Sequence, residues 1–275
     1  MPTDAAPATL VDLDRYPLDA LDSPAGQALV AELRARLDAD GVAQLPGFVR
    51  PEVVRRIADE ALALRADAFL EDVWGTPYLG LPDESFPPGH PRRHEGRSLT
   101  WVIAYDEIPT SCPLRQLYEW PPLTDLIAGV VGVHPLYPFG DPLGALNLAV
   151  MEQDHTQAWH YDNTDFVVSL AIQSSAAGGE FECAASIRSD DDEHYDEVAA
   201  VLDGRASDRV EVYPMVPGTL MIFRGRHSVH RVSPVQGDVP RIVALLAWDR
   251  RPDTDSSELF KLVRYGRSEP RATPA

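Results

Sequence analysis

Gln157-Ala158-Trp159-His160-Tyr161-Asp162-Asn163-Thr164-Asp165-Phe166 is the run from which the rest of the chain is read. On an extended segment, side chains two apart point to the same face. His160 and Asp162 therefore project together into one cavity, with Tyr161 turned away. An imidazole beside a carboxylate supplies two of the three donors of a metal triad. The third has to come from elsewhere in the chain. The candidate is His230, in Phe223-Arg224-Gly225-Arg226-His227-Ser228-Val229-His230-Arg231-Val232. His227 competes for the role, but the two histidines are three apart and face opposite ways on a strand, so one alone points inward. Val232 continues the alternation of His230, which favours that residue. His155 is the weaker rival to His160, because no carboxylate follows it two residues on.

Two histidines and one carboxylate leave open positions on a metal, the arrangement diagnostic of non-haem Fe(II) oxygenases. The ordered set around them strengthens the reading: a Gly178-Gly179 turn, Pro217-Gly218-Thr219-Leu220 opening an apolar run, and Arg241 heading the last one. A guanidinium fork matches a carboxylate bidentately. Arg241 is thus the candidate clamp for the far carboxylate of a 2-oxoacid co-substrate, with O2 as the second co-substrate. Trp159, Asn147 and Gln173 are candidates to pack or hydrogen-bond around this centre. Arg97, where a strand leaves a loop, is either an ordinary surface ion pair or a clamp for a substrate carboxylate.

Composition sets the bounds. The chain has 275 residues, 44% hydrophobic, and a formal net charge of −19. That length suits one domain. The charge argues against nucleic acid and anionic membranes as partners. Lys261 is the only lysine, and Cys112 and Cys183 are the only cysteines. Two cysteines suggest no disulfide framework and fit a reducing, cytoplasmic setting. Met1–Ala6 has neither a basic nor an apolar signal region. No apolar run approaches the ~20 residues that span a bilayer.

Along the chain, Ser23-Pro24 starts a helix that carries Leu29, Val30, Leu33 and Leu37 and stops at Gly41. Val42 to Val49 reads as a strand and turn, and a second helix begins near Pro51. Residues 69–96 have loop composition, with His90 and His94 read as loop histidines rather than ligands. Arg97 to Tyr105 reads as a strand and Pro113 to Val131 as one helix. From Leu143 the texture becomes short strands separated by Gly/Pro turns, with a helical insertion at Val198 to Leu202. The expected fold is mainly β with flanking helices: a double-stranded β-helix (jelly roll, cupin-like) with an N-terminal helical buttress. It is read as a single domain over 1–275, with a helical part and loop over 1–100 and the β-helix core over 140–250.

The motifs resemble the Fe(II)/2-oxoglutarate-dependent dioxygenase superfamily. They are most similar to the BesD/HalD-like (ArpA-like) group of free-amino-acid radical halogenases and their hydroxylating relatives. The resemblance covers roughly residues 97 to 250. It rests on Leu117-Tyr118-Glu119-Trp120-Pro121-Pro122-Leu123, Trp159-His160-Tyr161-Asp162, Gly178-Gly179-Glu180-Phe181-Glu182, Asp192-Glu193-His194-Tyr195, the Pro217 to Arg226 run and His230-Arg231-Val232-Ser233-Pro234-Val235. Halogenases of the group carry glycine where this chain has Asp162, so the resemblance implies hydroxylation rather than chlorination. Arg97 matches a position that holds the substrate carboxylate in lysine-acting relatives. Gln157 and Asn163 match two further substrate positions but differ from the histidine and aspartate of those relatives, which argues against lysine. The expectation is an Fe(II)/2-oxoglutarate hydroxylase of a free amino acid or similar small metabolite, as a monomer or a homodimer. Two alternatives have distinct signatures. A Zn²⁺ hydrolase or isomerase on the same triad would not need Arg241, and a non-catalytic small-acid-binding barrel would take up neither iron nor oxygen.

Overall fold

The first helix, α1 (Pro24–Asp40), forms where its caps dictate. The Ser23 hydroxyl accepts from the Gly26 N–H at 3.2 Å, Pro24 fills the first turn, and Gly41 closes the end at φ 70°. The computed structural model describes residues 7–271. Met1–Ala6 and residues 272–275 lie outside it, so the reading of the amino-terminal segment is not addressed. From α1 the chain continues through β1 (Val42–Leu45), α2 (Pro51–Leu64), β2 (Phe69–Gly75), β3 (Gly96–Ile103), α3 (Pro113–Tyr118), α4 (Pro121–Val131), β4 (Tyr137–Pro138) and β5 (Leu146–Met151). Then come β6 (Gln157–His160), β7 (Val167–Gln173), β8 (Ala177–Gly178), β9 (Phe181–Ala184), α5 (Tyr195–Leu202), β10 (Glu211–Tyr213), β11 (Leu220–Phe223) and β12 (Val229–Val232). The chain ends with β13 (Val235–Gln236), β14 (Arg241–Leu246), β15 (Trp248–Asp249) and α6 (Glu258–Tyr265).

Two antiparallel sheets face each other. The major sheet has seven strands in the order β1-β11-β7-β14-β5-β3-β2, and the minor sheet four in the order β10-β9-β12-β6. Met151, Met221 and Phe223 from the major sheet pack against Phe181, Cys183 and Val232 from the minor one. The other face of the major sheet buries the main core against the helices, where α2 contributes Val53, Val54, Ile57, Ala58 and Ala61. The jelly-roll expectation is met, with three differences in detail. The amino-terminal third is not only a helical buttress: β1, β2 and β3 belong to the major sheet. Phe69–Gly75 is a strand rather than loop, paired along its length with β3. The helix read over Pro113 to Val131 is two, because Pro121 and Pro122 lack the N–H groups that would carry the first helix onward and instead start the second. No described helix is long and apolar enough to cross a membrane.

The minor sheet covers only part of the inner face of the major one. Near β2 and β3 that face is covered by α6, whose residues pack on both strands. This helix is inverted: Lys261, Arg264 and Tyr265 are buried, while Leu259, Phe260, Leu262 and Val263 are exposed. Its apolar residues do not mark its inner face, so pattern reading overlooks it.

Candidate metal centre

Strands β6 and β12 lie side by side with His160 directly opposite His230. Cross-strand partners share a face, and the two imidazole centroids stand 4.2 Å apart. Asp162 follows two residues after His160, just beyond the strand end. The donor atoms of His160, Asp162 and His230 all lie within 4.8 Å of one another. Asp162 Oδ2 is 3.3 Å from His230 Nε2, and Oδ1 is 4.0 Å from His160 Nε2. Of the competing histidines, His227 faces Asp190 at 3.0 Å at the surface, and neither His90 nor His94 approaches the cluster.

The hydrogen bonds select the protonation state that binds metal. His160 Nδ1 faces the Ala158 carbonyl at 2.8 Å, and His230 Nδ1 faces the Ser228 carbonyl at 2.9 Å. A carbonyl only accepts, so both Nδ1 atoms carry the proton, and both Nε2 lone pairs point toward Asp162. Burial, and after it the adjacent His230, lowers the His160 pKa to about 4 and keeps the ring neutral. Asp162 Oδ2 is buried with no hydrogen-bond partner. An unsatisfied buried carboxylate oxygen facing two neutral imidazole lone pairs is costly as it stands and fits a divalent cation. Gly225 makes room for it. A β-carbon there would stand 2.9 Å from Asp162 Cβ and collide with the carboxylate, while the Gly225 carbonyl accepts from the Asp162 N–H.

The cavity in front of these donors measures ≈ 70 Å³ and is walled by Thr100, Met151, Gln157, Phe181, Phe223 and Arg241, among others. Arg241 heads β14 and is 5% exposed. Among the described residues no carboxylate pairs with it, and its Nη1 contacts only the Met151 sulfur, at 3.7 Å. Burial alone pulls its pKa down to about 10. A guanidinium in this state lacks the partner that a buried charge requires. A second cavity of ≈ 250 Å³ shares Arg241, Phe181, Met215 and Val243 with the first. Gly179, at φ 64°, lets the arginine pass; a β-carbon there would stand 3.1 Å from Arg241 Cδ.

Of the residues selected from sequence, the structure brings together His160, Asp162, His230, Arg241 and Gln157. Gln157 is three residues from His160 yet shares its cavity, because β6 carries an extra residue against β12 between the His230–His160 and Val232–Gln157 pairs. Gln173 lines the second cavity instead, its side-chain amide donating to the Pro240 carbonyl at 2.8 Å, and four others stand elsewhere. Trp159 turns away from His160, as an adjacent strand residue must. It packs with Tyr161, Ile187 and Val198, with the Arg231 guanidinium 4.7 Å over its ring, which corrects its reading as a residue packed around the metal centre. Arg97 lies on the face of β3 opposite to Thr100 and makes a two-pronged contact with Asp72, both distances 2.7 Å; of its two readings, the ion pair is the one formed. Asn147 is buried at the α6 end, its side chain bonded to the Leu143 carbonyl and the Tyr265 hydroxyl. Asn163 is exposed and offers its backbone carbonyl to Arg226. Sequence reading missed Thr100 and Ser169. Ser169 is the lone hydroxyl of an apolar strand, with its Oγ buried in the cavity wall without a partner, whereas Thr100 shares its strand with Ser98 and Arg97 and does not stand out.

Fold and site together are similar to those of 2-oxoglutarate–Fe(II) oxygenases. A 2OG-Fe(II) oxygenase family oxidoreductase from Burkholderia pseudomallei superposes with a TM-score of 0.53 at 17% identity, covering 82% of this chain and 92% of its own. The epimerase SnoN in complex with Fe3+, alpha ketoglutarate and nogalamycin RO gives 0.56 at 17% identity, covering 81% and 84%. AviO1 from Streptomyces viridochromogenes gives 0.51 at 20%, covering 78% and 92%. These likenesses show the fold. No curated protein sequence matches the chain. The chain belongs to the halogenase D family, whose model matches residues 95–261, more than half of its length. The family resemblance drawn from the motifs is borne out.

Proposed function

We propose that this protein is an Fe(II)- and 2-oxoglutarate-dependent oxygenase that hydroxylates a C–H bond of a free amino acid or a similarly small carboxylate metabolite. One observation carries the reading: a carboxylate with a buried, unsatisfied oxygen, facing two imidazoles whose Nδ1 atoms meet carbonyls, shares a cavity with a buried guanidinium that no described carboxylate pairs. His160, Asp162 and His230 would hold the iron through Nε2, a carboxylate oxygen and Nε2. With 2-oxoglutarate and O2, bound iron supplies the oxidising chemistry, forming succinate and CO2 as the substrate is oxidised.

The protein's own part is placement. Arg241 offers its fork to the far carboxylate of 2-oxoglutarate, in surroundings where a charge-assisted pair is strong. Met151, Phe181, Phe223 and Val232 keep bulk water from the centre. Gln157, Thr100 and Ser169 supply the uncharged polar groups of the wall. Asp162 occupies the donor position that the family's halogenases leave to glycine. That favours hydroxylation, since no protein-free position remains there for halide.

The test is succinate formation on adding Fe(II), 2-oxoglutarate and the common L-amino acids in turn, with the organic product weighed by mass spectrometry. Turnover with a hydroxylated product, unchanged in kind when chloride is present and abolished by Asp162→Ala and His230→Ala, is expected. Turnover indifferent to those substitutions, or a chlorinated product, would overturn the reading.

A further inference from the structure

We propose that Met151 is an oxidation site built into the metal cavity: when no organic substrate is present, 2-oxoglutarate and O2 convert its thioether to the sulfoxide, which then occupies Arg241 and weakens the binding of further 2-oxoglutarate. The inference rests on the oxygenase reading above and adds a modification to it.

The placement of the methionines comes first. The chain has 4 of them, and Met151, Met215 and Met221 all line the cavity of the metal donors. Their sulfurs face different partners. Met221 lies opposite Gln44 across β11 and β1, and the Gln44 amide reaches its sulfur at 3.7 Å and that of Met215 at 4.0 Å. Gln44 is not part of the cavity wall. Met151 lies opposite Arg241 across β5 and β14, and its sulfur meets Arg241 Nη1 at 3.7 Å. Of the three sulfurs, that of Met151 is thus the one turned to a group of the cavity itself. The space it shares with His160, Asp162 and His230 measures only ≈ 70 Å³. Met151 is also 1% exposed, whereas Met215 is half-buried. An oxidant from solution therefore meets Met215 first, and oxidation from within the cavity meets Met151.

The step balances. 2-Oxoglutarate loses two electrons in becoming succinate and CO2, the sulfur loses two, and O2 takes all four. One oxygen atom ends in succinate and the other on sulfur, with no proton released. With a substrate C–H bond in the cavity, the second atom goes there instead. The product changes what Arg241 sees. A thioether sulfur is a weak acceptor, so the guanidinium as it stands keeps its fork free for a carboxylate. The sulfoxide is polar, its oxygen is a strong acceptor, and in a buried wall that oxygen requires a donor. Arg241 is the donor already in contact with the sulfur. Once paired, its N–H groups are no longer free for the far carboxylate of 2-oxoglutarate. Consumption of 2-oxoglutarate without an organic product thereby stops itself.

The experiment has two arms. In the first, protein loaded with Fe(II) is incubated with 2-oxoglutarate in air without any amino acid, and sulfoxide at each methionine is read by peptide mass spectrometry. In the second, Met151→Gln and Met151→Leu are titrated with 2-oxoglutarate without oxygen, their folds checked by near-ultraviolet circular dichroism; if either misfolds, the first arm decides. Expected is sulfoxide chiefly at Met151, absent when iron, 2-oxoglutarate or oxygen is left out, with the oxidised protein binding 2-oxoglutarate at least tenfold more weakly than the untreated protein. The glutamine amide offers Arg241 a strong acceptor and leucine offers none, so Met151→Gln should bind 2-oxoglutarate at least tenfold more weakly than Met151→Leu. No sulfoxide at Met151, oxidation led by Met215, undiminished affinity after oxidation, or equal affinity of the two variants overturns the inference alone, provided the untreated protein binds 2-oxoglutarate. Failure of the untreated protein to bind 2-oxoglutarate overturns the oxygenase reading and this inference with it.

Discussion

Two buried guanidiniums, one in the cavity of the metal donors and one under α6, are held in opposite ways. At the β14 end, Arg241 has no carboxylate and a pKa pulled down to about 10 by burial. At the α6 end, Arg264 is matched by Glu71, and its pKa is held above the usual value. A charge desolvated without a partner is a cost that folding alone does not repay; an anion bound there recovers it. A charge desolvated with a partner is settled within the protein. The contrast separates a charge in the cavity wall that waits for an anion from a charge already matched outside it.

The contrast predicts substitutions of opposite sign. Arg264→Met alone strands Glu71 as a buried charge and should destabilise the protein by about 3–5 kcal/mol, with the added Glu71→Met restoring most of it; urea unfolding measures both. Arg241→Met removes an unmatched charge, so the ligand-free protein should hold or gain stability. The same change should weaken 2-oxoglutarate by about 2–5 kcal/mol, the usual size for a buried charge partner, read as a rise in its KM. Destabilisation by both single variants would erase the distinction between the two ends.

The metal donors are sharpened by pH. Burial and His230 lower His160 from 6.5 to about 4. A base whose folded pKa is depressed takes up fewer protons folded than unfolded. Its contribution is complete above about pH 6.5 and is lost as pH falls toward about 4, up to about 3 kcal/mol in all. Unfolding of the metal-free protein near pH 7 and near pH 4 should show this loss, and His160→Gln should flatten it. Gly225→Ala places a methyl against the Asp162 carboxylate and should weaken metal about 10- to 100-fold in a chelator competition, in line with other supports of metal ligands. Smallest is Arg97→Ala: its half-exposed pair with Asp72 is screened by solvent, so the urea midpoint should hardly move.

What could be read from sequence followed the two-residue period of strands. His160 with Asp162, the choice of His230 over His227, and Arg241 at the head of an apolar run all rest on local alternation, and the structure brings them together. What could not be read depends on where alternation is interrupted or reversed. The extra residue in β6 carries Gln157 onto the ligand face, which parity alone would deny. Trp159 obeys parity and turns away, so its selection disregarded the rule that placed His160. Arg97 was visible as an arginine near a strand start, but which face of β3 meets the cavity depends on its pairing with β2 and β5, both distant in sequence. Glu71 lay in a segment read as loop. Arg264 lay in a helix whose apolar residues face outward and whose Lys261 and Arg264 face inward, a pattern that hides the helix from hydrophobic periodicity.

The central claim is that His160, Asp162 and His230 share one iron whose open positions are filled by 2-oxoglutarate held at Arg241. Its most direct test is an anaerobic titration of the Fe(II)-loaded protein with 2-oxoglutarate, followed by the visible charge-transfer absorption of the chelate. The account predicts a band that saturates at one equivalent in the wild type and is absent in His230→Ala. No band in the wild type, or one that survives the loss of His230 undiminished, would contradict it.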